Sequence, residues 1–347
     1  MSSVYNNAII YEGQVAQDLY SAMLVRSRTI ESGLFREFAD VRKEIRIPRM
    51  ETNVTLQEYG CTVQPDSVTS FDDITLTICL FQWGQELCKQ ELDQVAFYGH
   101  NSNPAWAEGA GPGVAGIGPS QNLLARLGAR IEWQIGNQIE MMIWRGGTGF
   151  TSNNAGVIVN LSLCNGWLAR ILDSAGYIEP IGASGDLTDP LTVAAEFEKM
   201  YNAMTPALYQ SWALGEDADP MAMPVFFVSL ETHRAIMNSI YAQAVIGTTS
   251  PVNLTLQTPQ FNFELRGKEL YYRNIRIFAT WAIPPNYGIL TNAGNLLFGY
   301  NLASDMADMK IVDLEALDPR ERKIFISGAF SFGTQIMFPG EIILYRP

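Results

Sequence analysis

The sequence predicts a mixed α+β fold, and three observations carry that expectation. The first is a long amphipathic stretch, Ser120 to Trp144. In it Leu124, Leu127, Ile131, Ile135, Ile139 and Ile143 recur every three or four residues and so line one face of a helix. The second is period-two alternation at Glu44 to Ile47 and again at Ile74 to Leu80, the pattern of strands with one buried face. The third is a succession of strand-like apolar runs and helical stripes over residues 156–246, which reads as a compact α/β region.

Residues 1–12 are polar and unpatterned, and Gly13 to Arg26 reads as a helix with Val15, Leu19 and Met23 on one face. From 27 to 43, charged residues alternate with Ile30, Leu34, Phe35, Phe38 and Val41. This arm has too little apolar area for a core of its own and must lie on something else. The strands at 44–47 and 74–80 flank a polar excursion with turn formers Gly60, Pro65 and Asp72-Asp73. That arrangement fits a projecting hairpin and fits a surface loop between sheet strands. As a hairpin, Ile74, Leu76, Ile78 and Leu80 form one apolar face against Ile45 and Ile47.

A Gly, Pro and Ala loop over residues 101–119 leads into the long helix, with Ser120 as its N-cap and Gly146-Gly147 as its end. Twenty-five helical residues run about 37 Å. Gly128 and Gly136 inside it cost up to about 1 kcal/mol each relative to Ala, so close contact or a bend is expected there. An ordinary core helix and the spine of a flat subunit both fit. Beyond it, Val157-Ile158-Val159 reads as a short strand, and Asp189-Pro190 as the start of a helix with Val193, Phe197, Met200 and Met204 inward. Met223 to Val228 reads as a strand covered on both faces. Ser229 caps a helix with Ile236, Ile240 and Tyr241 inward. Strands are expected at Tyr271–Phe278, Leu296–Phe298, Lys310–Val312, Lys323–Ile326, Phe330–Met337 and Ile342–Tyr345, the last two forming a hairpin around Pro339-Gly340.

The chain's 347 residues are 47% hydrophobic and only 17% charged, against roughly 25% charged in an ordinary soluble domain. Gly146 to Ala169 and Ala235 to Phe263 carry no Asp, Glu, Lys or Arg. Both runs are broken by Asn, Ser, Thr, Gly or Pro and do not read as membrane spans. So little charge implies a surface largely hidden against other subunits. The net charge of −13 argues against a general nucleic-acid-binding surface. Residues 26–49 run the other way: Arg26, Arg28, Arg36, Arg42, Lys43, Arg46 and Arg49 face four acidic residues, so the segment is +3 and the remainder −16. No Lys or Arg occurs in the first 25 residues, so no signal peptide is expected.

The search for chemistry is empty. Cys61, Cys79, Cys88 and Cys164 form no CxxC pair and, with only His100 and His233, no zinc site. A reduced cytosolic compartment is expected. Gly111 to Gly116 is a formal GxGxxG, but no strand precedes it and Pro119 follows it, so a nucleotide-binding oxidoreductase is a minor alternative. Glu216-Asp217-Ala218-Asp219 could hold a divalent ion or be a solvated loop. No catalytic residue, metal site or cofactor is expected, and the chain reads as structural, not as an enzyme.

The order of arm, hairpin, long helix, α/β body and final strands resembles the major capsid proteins of tailed bacteriophages, the Hong Kong 97-type fold. Ile74 to Leu92 is similar to the strand that returns from the E-loop in Bacteroidetes-phage (crAss-like) capsids. Asn295-Leu-Leu-Phe-Gly-Tyr-Asn-Leu302 with Asp305 resembles the run that closes the A-domain, and Gly333 to Phe338 with Ile342 to Tyr345 the last P-domain strands. The resemblance implies an N-terminal arm at 1–43, an E-loop at 44–80, a P-domain with a long spine helix at 81–146 and 308–347, and an α/β A-domain at 147–307. It implies self-assembly as pentamers and hexamers into an icosahedral shell around double-stranded DNA, in the virion and, during assembly, the host cytoplasm. With no room here for a scaffolding region ahead of the arm, the resemblance implies a separate scaffolding protein or removal of a segment before Met1; a portal protein and a cement protein are the other implied partners, with no membrane. An encapsulin-like nanocompartment is the alternative within the same fold. Arg26, Arg28, Arg36, Arg42, Arg46, Arg49 and Leu76 are the expected subunit-contact residues. Residues 44–80 contain no lysine, so the isopeptide cross-link of some family members is not expected here.

Overall fold

A computed structural model describes residues 27–53, 68–88, 119–147, 161–183, 185–213, 220–246, 263–301, 310–314 and 323–346. The expected helix at 13–26, the strand at 157–159, the loops at 111–116 and 216–219, and Arg26, Cys61 and His100 lie outside these residues.

The described part of the arm opens with a one-turn helix, α1 (Arg28–Ser32), closed by Gly33 at φ 63°, a left-handed position where the missing side chain avoids strain. A short strand follows, β1 (Arg36–Phe38). Phe35 and Val41 are buried, and Phe35 meets Phe298 edge-on with ring centres 5.5 Å apart. The arm therefore lies on this chain's own core. Next come β2 (Glu44–Asn53) and β3 (Val68–Thr77), an antiparallel hairpin with Ile45 opposite Leu76 and Ile47 opposite Ile74, so of the two arrangements the sequence left open the strands form the hairpin.

At Ile78 the chain changes partner. Its N–H donates to the Lys43 carbonyl at 2.9 Å, and β4 (Cys79–Cys88) joins another sheet. Sidedness inverts there: Leu76 and Phe81 are buried while Leu80 is 79% exposed. The single apolar face expected over Ile74 to Leu80 is thus corrected. Period two holds along one ladder and is reset where the strand crosses to the next.

The long helix, α2 (Pro119–Arg145), starts at Pro119, one residue before its expected cap, because proline suits a first turn whose N–H groups are unpaired. Ile131, Ile135, Ile139 and Ile143 are buried as expected, and Trp133 is exposed on another face. It ends at Gly146, which is in backbone contact with Gly166 at the start of α3 (Trp167–Asp173): the Gly166 N–H donates to the Gly146 carbonyl at 2.6 Å. A Cβ on Gly146 would lie 2.3 Å from the Cys164 carbonyl oxygen.

The next helix, α4 (Val193–Asn202), starts three residues later than Asp189-Pro190 suggested. Asp189 turns its carboxylate onto the Leu191 N–H at 2.9 Å, closing a local turn that competes with the helix. An unanticipated helix, α5 (Pro206–Ala213), precedes β5 (Pro224–Ser229), which is buried throughout. Ser229 caps α6 (Leu230–Ile246) as expected, accepting from the Thr232 N–H at 3.1 Å. The single strand read at Tyr271–Phe278 is in fact two. After β6 (Phe263–Arg266) come β7 (Glu269–Tyr272) and β8 (Ile275–Thr280), because Arg273 and Asn274 take φ of 47° and 65° and reverse the chain. The remaining strands are β9 (Gly288–Asn292), β10 (Leu296–Tyr300), β11 (Lys310–Asp313), β12 (Lys323–Ile336) and β13 (Ile343–Tyr345).

Two larger sheets result. In one, β12 is the axis, with β11 and β10 along one edge and β4 along the other, and β1 extends it parallel to β10. The other runs β13-β9-β5-β8-β7-β6. The hairpin expected to end the chain is not formed, since β12 and β13 belong to different sheets. The buried Asn295 side chain captures the crossing: it accepts from the Phe338 N–H at 2.6 Å and donates to the Phe338 carbonyl at 2.8 Å. Val225 and Phe227 of β5 point into a core shared with α2, α3 and the first sheet. Phe226 and Val228 point into a second core under α4 and α6.

Gly299 and Gly333 face each other across β10 and β12, and the hairpin root lies on them. A Cβ on Gly333 would sit 2.1 Å from the Thr77 carbonyl oxygen, and one on Gly299 2.6 Å from Leu76 Cδ2. Cys79 and Cys164 form a disulfide, with Cα atoms 6.0 Å apart. This corrects the expectation of reduced, unpaired cysteines, because folding brings together residues 85 apart in sequence. Two measurements test these contacts. Gly333→Ala should lower unfolding free energy by about 1–3 kcal/mol and Gly299→Ala by less, since a leucine tip yields where a carbonyl does not. Reductant should remove about 2–4 kcal/mol in denaturant titration, and a non-reducing digest should yield the Cys79 and Cys164 peptides joined.

Candidate functional site

The junction of arm, spine helix and second sheet is organised by one acidic side chain. Glu140, in the last turns of α2, is 1% exposed. Each of its oxygens accepts twice. Oε2 takes the Ser27 hydroxyl and the Thr29 N–H, the latter at 3.0 Å. Oε1 takes the Thr29 hydroxyl at 2.6 Å and the Thr280 hydroxyl at 2.5 Å. Trp144, one turn on, donates its Nε1 to the same Thr29 hydroxyl at 2.8 Å, which sharpens that hydroxyl as a donor. Arg145 extends the grip, with Nε on the Ala282 carbonyl and Nη2 on that of Trp281 at 3.3 Å. Burial lowers the Arg145 pKa to about 10, with Glu231 opposing the shift, so it stays cationic. On the far side of the arm, the Tyr300 hydroxyl donates to Glu37. Burial and that bond push the tyrosine pKa up to about 12, so it stays a donor.

The expected contact residues divide. Arg36, Arg42 and Arg46 are exposed on β1, the following turn and β2. Arg28 is exposed above the Phe278 ring, 5.6 Å from its centre. Arg49 is committed within the chain, to Asp72 at 3.0 Å. Leu76 is corrected outright: it is fully buried against Ile47 and Leu297 of its own chain and has no surface to offer a neighbour. Glu140, Ser27, Thr29, Thr280 and the glycine pair were missed by sequence reasoning. A signal for Glu140 was present, since it is the lone acid in Ile139-Glu-Met-Met-Ile-Trp144.

Among the described residues no His, Cys, Asp and Glu cluster could hold a metal ion, and no helix is long and apolar enough to cross a membrane. No protein-family model matches the chain and no curated protein matches it in sequence. Solved structures match it in fold. A chain of the satellite phage P4 procapsid including size determination (Sid) protein aligns over 98% of this chain and 92% of its own, with TM-score 0.53 and 13% identity. A chain from Mycobacterium phage Adephagia covers 92% and 90%, at 0.51 and 13%. A chain of the capsid of an empty GTA particle covers 100% and 96%, at 0.50 and 10%. The mixed α+β fold described here is therefore one that phage capsid structures share.

Glu140→Gln tests the junction. The amide nitrogen would face donors from which it cannot accept, so unfolding free energy should fall by about 1–3 kcal/mol. Proteolysis should then cut first near Ser27 to Ser32, ahead of any cut in the second sheet.

Proposed function

We propose that this chain is the major capsid protein of a tailed bacteriophage, of the Hong Kong 97 type. It assembles as pentamers and hexamers into an icosahedral shell around double-stranded DNA. The observation that carries this reading is the fold likeness to a P4 procapsid chain over nearly the full length of both. In this reading residues 44–80, with the β2–β3 hairpin, are the E-loop, residues 81–146 and 308–347, with α2 and β11 to β13, are the P-domain, and residues 147–307, with α4 to α6 and β5 to β10, are the A-domain. The sequence stretch at 74–92 favours a place beside the Bacteroidetes-phage capsids.

Composition supports the reading. A subunit with 17% charged residues suits burial against several neighbours, and a net charge of −13 limits adhesion of the inner wall to DNA. Arg28, Arg36, Arg42 and Arg46 are among the exposed cations of the arm and hairpin root, and in this reading they meet acidic groups of neighbouring subunits. Each exposed pair contributes roughly 0–1 kcal/mol, and symmetry repeats it around the shell. A separate scaffolding protein, a portal and a cement protein complete the particle. The virion shell is the location, with assembly in the host cytoplasm.

Negative-stain microscopy of the purified protein tests this reading. Closed icosahedral particles are expected, and a protein that stays monomeric at every salt and protein concentration would overturn it. Boiled in denaturing detergent with reductant, the particles should run as one band near 38.5 kDa, because the hairpin has no lysine for a cross-link. A reductant-resistant ladder would show that covalent joints hold the shell.

A further inference from the structure

The second sheet carries a polar cleft that the shell reading leaves unexplained. It has a volume of about 270 Å³, room for roughly nine waters at ~30 Å³ each. Three parts of the chain line it: Arg28 and Glu31 from α1, His233 from α6, and Lys268, Glu269 and Arg276 from the β6–β7 turn, β7 and β8.

Its charges are unevenly committed. Arg276 Nη2 contacts Glu269 Oε1 at 2.6 Å, and the other Glu269 oxygen accepts the Tyr271 hydroxyl at 2.7 Å, so that pair is closed. Burial and the nearby Arg28 lower the His233 pKa, which keeps the imidazole neutral at pH 7. Arg28 presents its guanidinium to the Phe278 ring. Among the described residues neither Arg28 nor Lys268 has a carboxylate within ion-pair distance. Two cations then stand against Glu31 alone, on a chain whose net charge is −13. A site of that sign on so acidic a protein selects an acidic ligand. Glu216-Asp217-Ala218-Asp219 is the one place where three carboxylates fall within four residues.

We propose that this cleft is a socket for the acidic segment 216–219 of a second copy of the chain, seated by Arg28 and Lys268. The inference rests on the shell reading and deepens it, by naming one subunit contact and both of its sides.

Charge reversal tests it. Arg28 and Lys268 are exposed, so Arg28→Glu with Lys268→Glu should fold with an unchanged thermal midpoint. Self-association, read by sedimentation velocity at low salt, should weaken by about tenfold or more. Glu216→Lys, Asp217→Lys and Asp219→Lys together should weaken it as much. A one-to-one mixture of the two variants should associate like the wild type, because each supplies the side the other lacks. Recovery only when all five changes share one chain would place the segment in its own cleft and overturn the proposal. So would unchanged association in either variant. Sedimentation does not require closed shells, so the shell reading can fail by microscopy while the socket stands, and the reverse.

Discussion

The fold depends on a carboxylate placed where water does not reach. Burying such a group without partners costs several kcal/mol, and the four donors around Glu140 offset that cost. Those donors come from the arm and from the end of β8, while the acid belongs to the spine helix. No single element can satisfy it. The requirement therefore couples three parts that also meet in one apolar core, and that core closes over the result. Trp144 serves twice, donating to the network through Nε1 and packing its ring 4.9 Å from that of Trp167.

Glycine supplies the other close contacts. At Gly146 and Gly166 the end of the spine helix meets the start of α3, and at Gly299 and Gly333 the hairpin root meets the sheet. In each case backbone or buried side chain occupies the space a Cβ would need. The carboxylate network fixes which elements meet, and the glycines set how closely.

What the sequence could show was local. The period-two strands at 44–47 and 74–78, the burial of β5 on both faces and the Ser229 cap each follow from residues within a few positions of one another or from a simple period. The spine helix was legible because its stripe, Leu124 to Ile143, extends over about five turns. What escaped had its cause elsewhere in the chain. Leu80 turns outward because the chain changes its ladder partner from β2 to β12 at Ile78, which no local pattern encodes. The crossing at Phe338 depends on Asn295, 43 residues away, and Cys79 finds Cys164 across 85. Arg273-Asn274 hid a turn because neither residue is glycine. Glu140 was visible as an acid in an apolar run, but its partners were not.

The continuity of β3 into β4 has a mechanical side. The hairpin is not hung from the body by a loop; it runs straight into a strand matched residue for residue with β12 from Cys79 to Cys88. A tug along the hairpin would load that whole ladder in shear, with all its hydrogen bonds sharing the force. A tug across it would peel them one pair at a time. The subunit is thus stiff along the hairpin and compliant sideways, as a strap is when anchored along its length and left free to swing.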